Sequence, residues 1–112
     1  AKPVPQEVEP PEEDEALKEK VYEFNPLQAQ KEFSAGNFYM KKGSHKAAAL
    51  RYAEATRWNP TWPEAFLKLG EAEERRKEFT AARDAYRKYL ELAPEARNAA
   101  DIRKKIATLP GK

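Results

Sequence analysis

The chain of 112 residues has no cysteine, which excludes disulfides, thiolate metal ligands and cysteine nucleophiles and leaves its redox compartment unread. It has one histidine, His45, set among Lys41, Lys42 and Lys46. A single imidazole ringed by cations is a poor metal ligand, so no metal or cofactor site is expected. Glycine is scarce as well. The run Lys41-Lys42-Gly43-Ser44-His45-Lys46 is not a phosphate loop, because G-x-x-x-x-G-K-[ST] is absent and no strand precedes it. No apolar run approaches the roughly 20 residues of a membrane span. No nucleophile, base and orienting acid are set along a strand–turn–helix scaffold, and adjacent carboxylates such as Glu73 and Glu74 diverge on a helix. No catalytic residue is assigned, and the chain is not expected to be an enzyme.

What is abundant is charge, unevenly placed. Residues 1–25 hold eight acids against three lysines, a net of −5, whereas residues 26–112 hold 11 acids against 18 Lys and Arg, a net of +7. A basic body is one mark of nucleic-acid binding. Here, however, acids interleave with the basic residues, as in Glu71, Glu73, Glu74, Arg75, Arg76, Lys77 and Glu78. That pattern reads as a solvated helix face, and nucleic acid is not the expected partner. Residues 1–15, with Pro3, Pro5, Pro10 and Pro11 and few apolar residues, read as a disordered Pro/Glu-rich tail: a linker, or an acidic arm that lies on the basic body.

From residue 16 onward the chain repeats. Offset by 34, Gly36 meets Gly70, Ala48 meets Ala82, Tyr52 meets Tyr86 and Pro60 meets Pro94, with Pro26 one further period upstream. Each period reads as helix, turn, helix. The first helix covers about 27–42 and stops at Gly43, and Ser44 is placed to cap the second, about 45–58. Thr61-Trp62-Pro63-Glu64 reads as a capping box that opens a third helix over about 62–76, and an apolar stripe marks a fourth over about 79–92. Leu17, Val21 and Phe24, at i, i+4 and i+7, predict a flanking helix that buries against the first repeat. Ala99, Ile102, Ile106 and Leu109, spaced 3, 4 and 3, predict a closing helix whose other face carries Arg103, Lys104 and Lys105.

These markers resemble the tetratricopeptide repeat, whose pattern is W-x2-L-G-x2-Y, then A-x3-F, then P within 34 residues. One repeat has Phe66-x2-Leu69-Gly70-x2-Glu73, Ala82-x3-Tyr86 and Pro94; the other has Glu32-x2-Ala35-Gly36-x2-Tyr39, Ala48-x3-Tyr52 and Pro60. Glu32 stands where an aromatic is usual and Glu73 where a tyrosine is usual. The resemblance implies an all-α domain over residues 16–110. Its form is a short right-handed helical solenoid of two full repeats, 29–62 and 63–96, with a preceding half-repeat helix and a C-terminal capping helix over 97–109. Residues Gly36–Gly43 followed by Ala47–Tyr52 are similar to the first repeat of bacterial cell-envelope tetratricopeptide proteins such as the lipoproteins of the outer-membrane β-barrel assembly machinery. In those proteins a lipidated leader and a Pro-rich spacer precede the repeats, so the similarity implies an exported scaffold in the cell envelope or periplasm; a cytoplasmic adaptor is the alternative.

A non-catalytic protein–protein interaction module is the function this resemblance implies. The peptide or partner would lie on the concave face, at Gln30, Phe33, Asn37, Met40, Lys41, Glu64, Leu67, Lys68, Glu71 and Arg75. Phe33, Phe38 and Trp62 are the aromatics expected to turn a face to a partner. Repeats that grip chaperone tails by a carboxylate clamp need Lys and Asn where this chain has Phe33, Asn37, Lys68, Asn98 and Ile102; only Asn37 fits, so that ligand is not expected. The alternative function is a self-associating structural subunit or accessory repeat domain of a larger complex, and the expected state is a monomer or weak homodimer.

Overall fold

The computed structural model describes residues 21–111, and among them it is all-α, with five helices and no strand. They are α1 (Pro26–Lys42), α2 (His45–Trp58), α3 (Pro63–Arg75), α4 (Phe79–Leu92) and α5 (Ala99–Thr108). Each helix packs on the next along the chain. Leu17 and the 1–15 tail lie outside the described residues.

The turns follow from local chemistry. Asn25 accepts the Gln28 N–H at 3.0 Å and Pro26 opens α1, where a missing N–H costs nothing. α1 ends on Gly43 at φ 80°, with Gly43 N–H donating to the Met40 carbonyl and Ser44 N–H to the Tyr39 carbonyl. One period later Lys77 adopts φ 65° and closes α3 the same way, its N–H donating to Glu74 and that of Glu78 to Glu73. A side chain in this left-handed region costs roughly 1–2 kcal/mol, and glycine returns roughly 0.5–1 kcal/mol of that as unfolded-chain entropy. Lys77→Gly is therefore expected to raise stability by about 0.5–1 kcal/mol in urea unfolding. A midpoint at or below that of the parent would contradict this.

Two sequence expectations about helix starts are corrected. The Thr61–Glu64 capping box does not form. Pro63 starts α3, Trp62 occupies the cap position without a side-chain bond, and the Thr61 hydroxyl turns to Asn59 Oδ1 at 3.4 Å. Ser44 sits at the start of α2 but makes no side-chain cap bond either.

The flanking stripe is also corrected. Val21 is 81% exposed and Phe24 68%, and residues 21–25 are not helical. Pro26 holds the preceding Asn25 in extended backbone at φ −150°, so a helix cannot run through this point. The intervening residue makes the contact instead. Tyr22 stands edge-on to Trp58 at 4.9 Å and donates to Glu54 Oε2 at 2.8 Å, while Asn25 N–H donates to the Trp58 carbonyl.

The core is built largely of alanines clasping two tyrosines. Phe33, Ala48, Ala49, Tyr52, Ala55, Ala65 and Ala72 are buried between α1, α2 and α3. Ala82, Tyr86, Tyr89 and Ile102 form the second cluster, flanked by Phe66, Leu67, Leu90, Ile106 and Leu109. Small residues let helix axes approach, and the ring of each tyrosine fills the space the approach leaves. A Cβ placed on Gly36 would stand 2.5 Å from Tyr52 Cε1, and one on Gly70 would stand 2.5 Å from Tyr86 Cε1. The two helix pairs thus share one interlock, 34 residues apart. The closing helix docks as its spacing predicts, with Ala99 and Ile102 buried, Ile106 and Leu109 half-buried, and Arg103 and Lys104 exposed.

Candidate partner-binding face

The Gly36–Tyr52 and Gly70–Tyr86 interlocks leave one end of each tyrosine pointing out of the core, toward side chains of α1 and α3. The Tyr52 hydroxyl donates to Asn37 Oδ1 at 2.5 Å, and the Tyr86 hydroxyl to Glu74 Oε1 at 2.7 Å. Burial pushes the Tyr52 hydroxyl up to about 12, with the charges of Glu71 and Glu64 adding to the effect. Tyr86 is raised further by burial, by its bond to Glu74 and by the charge of Glu71, against a smaller opposing effect of Arg75. Glu71 acts on both hydroxyls. Asn37, Glu64, Glu71, Glu74 and Arg75 accordingly form one polar strip along α1 and α3.

Cations border the strip. Lys68 pairs with Glu71 at 3.5 Å, and Lys105 of α5 reaches Glu74 at 3.3 Å. Each of these pairs is partly exposed and contributes little to stability, which leaves it open to exchange with an incoming charge. Glu64 and Arg75 are exposed. Glu64 and Arg75 make no salt bridge among the described residues.

Of the residues expected on this face, Asn37, Glu64, Lys68, Glu71 and Arg75 come together around the tyrosine hydroxyls. Gln30 and Lys41 are exposed on α1, one period before Glu64 and Arg75. Met40 is half-buried against the first core. Phe33 is not on the face. It is 9% exposed, packed in the core with its ring 5.6 Å from Tyr52 and 4.6 Å from Trp62. The reason lies next to it: Glu32 takes the usual aromatic position and bridges to Arg51 of α2 at 3.0 Å, and Phe33 supplies the ring instead. Trp62 is half-buried on Phe33, so of the three aromatics only Phe38 stays open.

Glu74 and Lys105 belong to the strip although spacing did not suggest them. Glu73 and Glu74 do diverge, Glu73 to Arg76 at 2.8 Å and Glu74 to Tyr86 and Lys105. The one available signal was that a buried tyrosine hydroxyl needs a partner. Among the described residues, no three His, Cys, Asp or Glu side chains gather as a metal would require, and no helix is long and apolar enough to cross a membrane. Comparison with protein-family models and with curated proteins gave no match.

Proposed function

We propose that this chain is a non-catalytic interaction module of the tetratricopeptide type that holds a peptide or partner segment across the α1–α3 face. What supports the reading is a repeated arrangement: in each helix pair the buried tyrosine hydroxyl donates to a polar side chain of the pair's first helix, Tyr52 to Asn37 and Tyr86 to Glu74, on helices that also carry Glu64, Lys68, Glu71 and Arg75. A strip of paired but accessible charges offers an extended segment alternating donors and acceptors. It offers no anchored nucleophile or proton relay. Arg75 and Lys41 are exposed cations and Glu64 an exposed anion, so the ligand suited to the strip is of mixed charge, and its association falls with salt.

The test begins with affinity capture from the source lysate and identification of what is retained. Lys68→Ala with Arg75→Ala is then expected to weaken binding of the purified partner about tenfold, or about 1.4 kcal/mol. The melting temperature should stay where it was, because both side chains lie outside the core. Asn37 is a poorer choice, since its bond to Tyr52 would mix folding with binding. Equal affinity for parent and double variant would remove the α1–α3 face as the site.

A further inference from the structure

The outer side of α1 carries a second surface. Its exposed positions include Leu27, Lys31, Ser34, Phe38 and Lys42, with Lys41 at the border it shares with the α1–α3 face, and none of them is acidic. Phe38 is 55% exposed, with Lys42 Nζ 5.4 Å from its ring centre. Among the described residues, Lys31, Lys41 and Lys42 have no carboxylate as an ion-pair partner. One period later the same positions of α3 are covered: Lys31 corresponds to Ala65 and Phe38 to Ala72, both 0% exposed in the core that α2 closes. Among the described residues, no helix covers these positions of α1 as α2 covers those of α3.

We propose that this face is covered by the acidic stretch Glu7–Glu19 of the same chain. A helix seated as closely as α2 sits on α3 would collide with Lys31 and Phe38, which stand where α3 has alanines. A second copy would present the same lysines and be repelled. Glu7–Glu19 carries seven acids and one lysine, a net of −6, and it leads directly into Val21 beside the start of α1. α1 is 17 residues long, about 25 Å at roughly 1.5 Å per residue. Glu12–Glu15 lie six to nine residues upstream of Val21, a reach of roughly 20–30 Å when extended. That distance brings four carboxylates level with Lys41 and Lys42. Tethering supplies an effective concentration in the millimolar range, enough for a weak, charge-driven contact that a stronger acidic ligand would displace.

The absence of cysteine makes a single spin label clean to place. In the full chain, a label on Ser34→Cys should at least halve the amide signal intensities of Glu12–Glu15 by paramagnetic relaxation. A label on Lys104→Cys, exposed on α5 at the other end of the helix array, should leave them unchanged. The effect should vanish at 1 M salt, where the Debye length is about 3 Å, and in the variant Glu12→Gln, Glu13→Gln, Asp14→Asn, Glu15→Gln. Unchanged intensities with the Ser34→Cys label would overturn the proposal, as would broadening from the Lys104→Cys label alone. Broadening that persists at 1 M salt would refute its charge basis. Broadening in a mixture of isotope-labelled chain with separately spin-labelled chain would assign the contact to a second copy and refute the intramolecular form.

Discussion

Tyr86→Ala is expected to lose about 3–5 kcal/mol of stability, the usual cost of emptying a buried aromatic site. Tyr52→Ala should lose a similar amount. These are the two large side chains wholly shut from solvent; Tyr52 is surrounded mostly by alanines that cannot swell to fill the space, and Tyr86 sits among Ala82, Tyr89 and Ile102 with Phe66, Leu67, Leu90, Ile106 and Leu109 packed around them. A loss of that size is a large share of the roughly 5–15 kcal/mol that holds a small domain. Chemical unfolding followed by circular dichroism measures it directly. Phenylalanine separates ring from hydroxyl. Tyr52→Phe gives up one neutral hydrogen bond, about 1 kcal/mol, while Tyr86→Phe gives up a bond to a carboxylate, about 1.5–3 kcal/mol.

The same substitution has a signature in pH. An unfolded tyrosine ionises near pH 10, whereas Tyr52 in the fold is held up to about 12, first by burial and then by Glu71 and Glu64. Below pH 10 both states keep the proton and the stabilisation is complete. Above it the unfolded chain releases a proton that the folded chain retains, so stability falls as pH rises through that window. The parent should therefore lose more stability between pH 10 and 12 than Tyr52→Phe does. Parallel profiles would show that the hydroxyl is not held as described.

The second large effect is a reversal of sign. Glycine to alanine inside an exposed helix normally gains about 1 kcal/mol. At Gly36 and Gly70 the new Cβ would fall 2.5 Å from the ring of Tyr52 or Tyr86, each locked in place by its own hydrogen bond. Gly36→Ala and Gly70→Ala should each destabilise by about 1–3 kcal/mol, the cost of forcing a packed core apart. Gly43 offers a contrast. Nothing lies near its missing Cβ, and substitution there is opposed by the left-handed backbone alone.

Much of this was legible because it depends on residues at fixed offsets. The 34-residue period, the Gly–Tyr pairs and the stripe of α5 require only that small and large residues recur where helices cross. What escaped the sequence reading depends on neighbours. Phe33 moved into the core because Glu32, one residue away, had a partner in Arg51 on another helix. Val21 and Phe24 lost their helical stripe because Pro26 acts backward on Asn25. Thr61 lost its cap because Pro63 starts α3 without it. The hydroxyl partners Asn37 and Glu74 lie 15 and 12 residues from their tyrosines, at different positions within the two periods, so no single spacing rule finds both.

The α1–α3 face exists only if the two helix pairs are one unit used twice, each closed by its own glycine and tyrosine. Double-mutant cycles test that claim most directly. Gly36→Ala combined with Tyr52→Ala should cost less than the sum of the single variants, by 0.5–3 kcal/mol, since removing the ring frees the space the new methyl needs. Gly70→Ala with Tyr86→Ala should show the same coupling, while the crossed pair Gly36→Ala with Tyr86→Ala should add within about 0.5 kcal/mol. Additive costs within either matched pair, or coupling in the crossed pair as large as in the matched ones, would contradict the repeated interlock and the surface built on it.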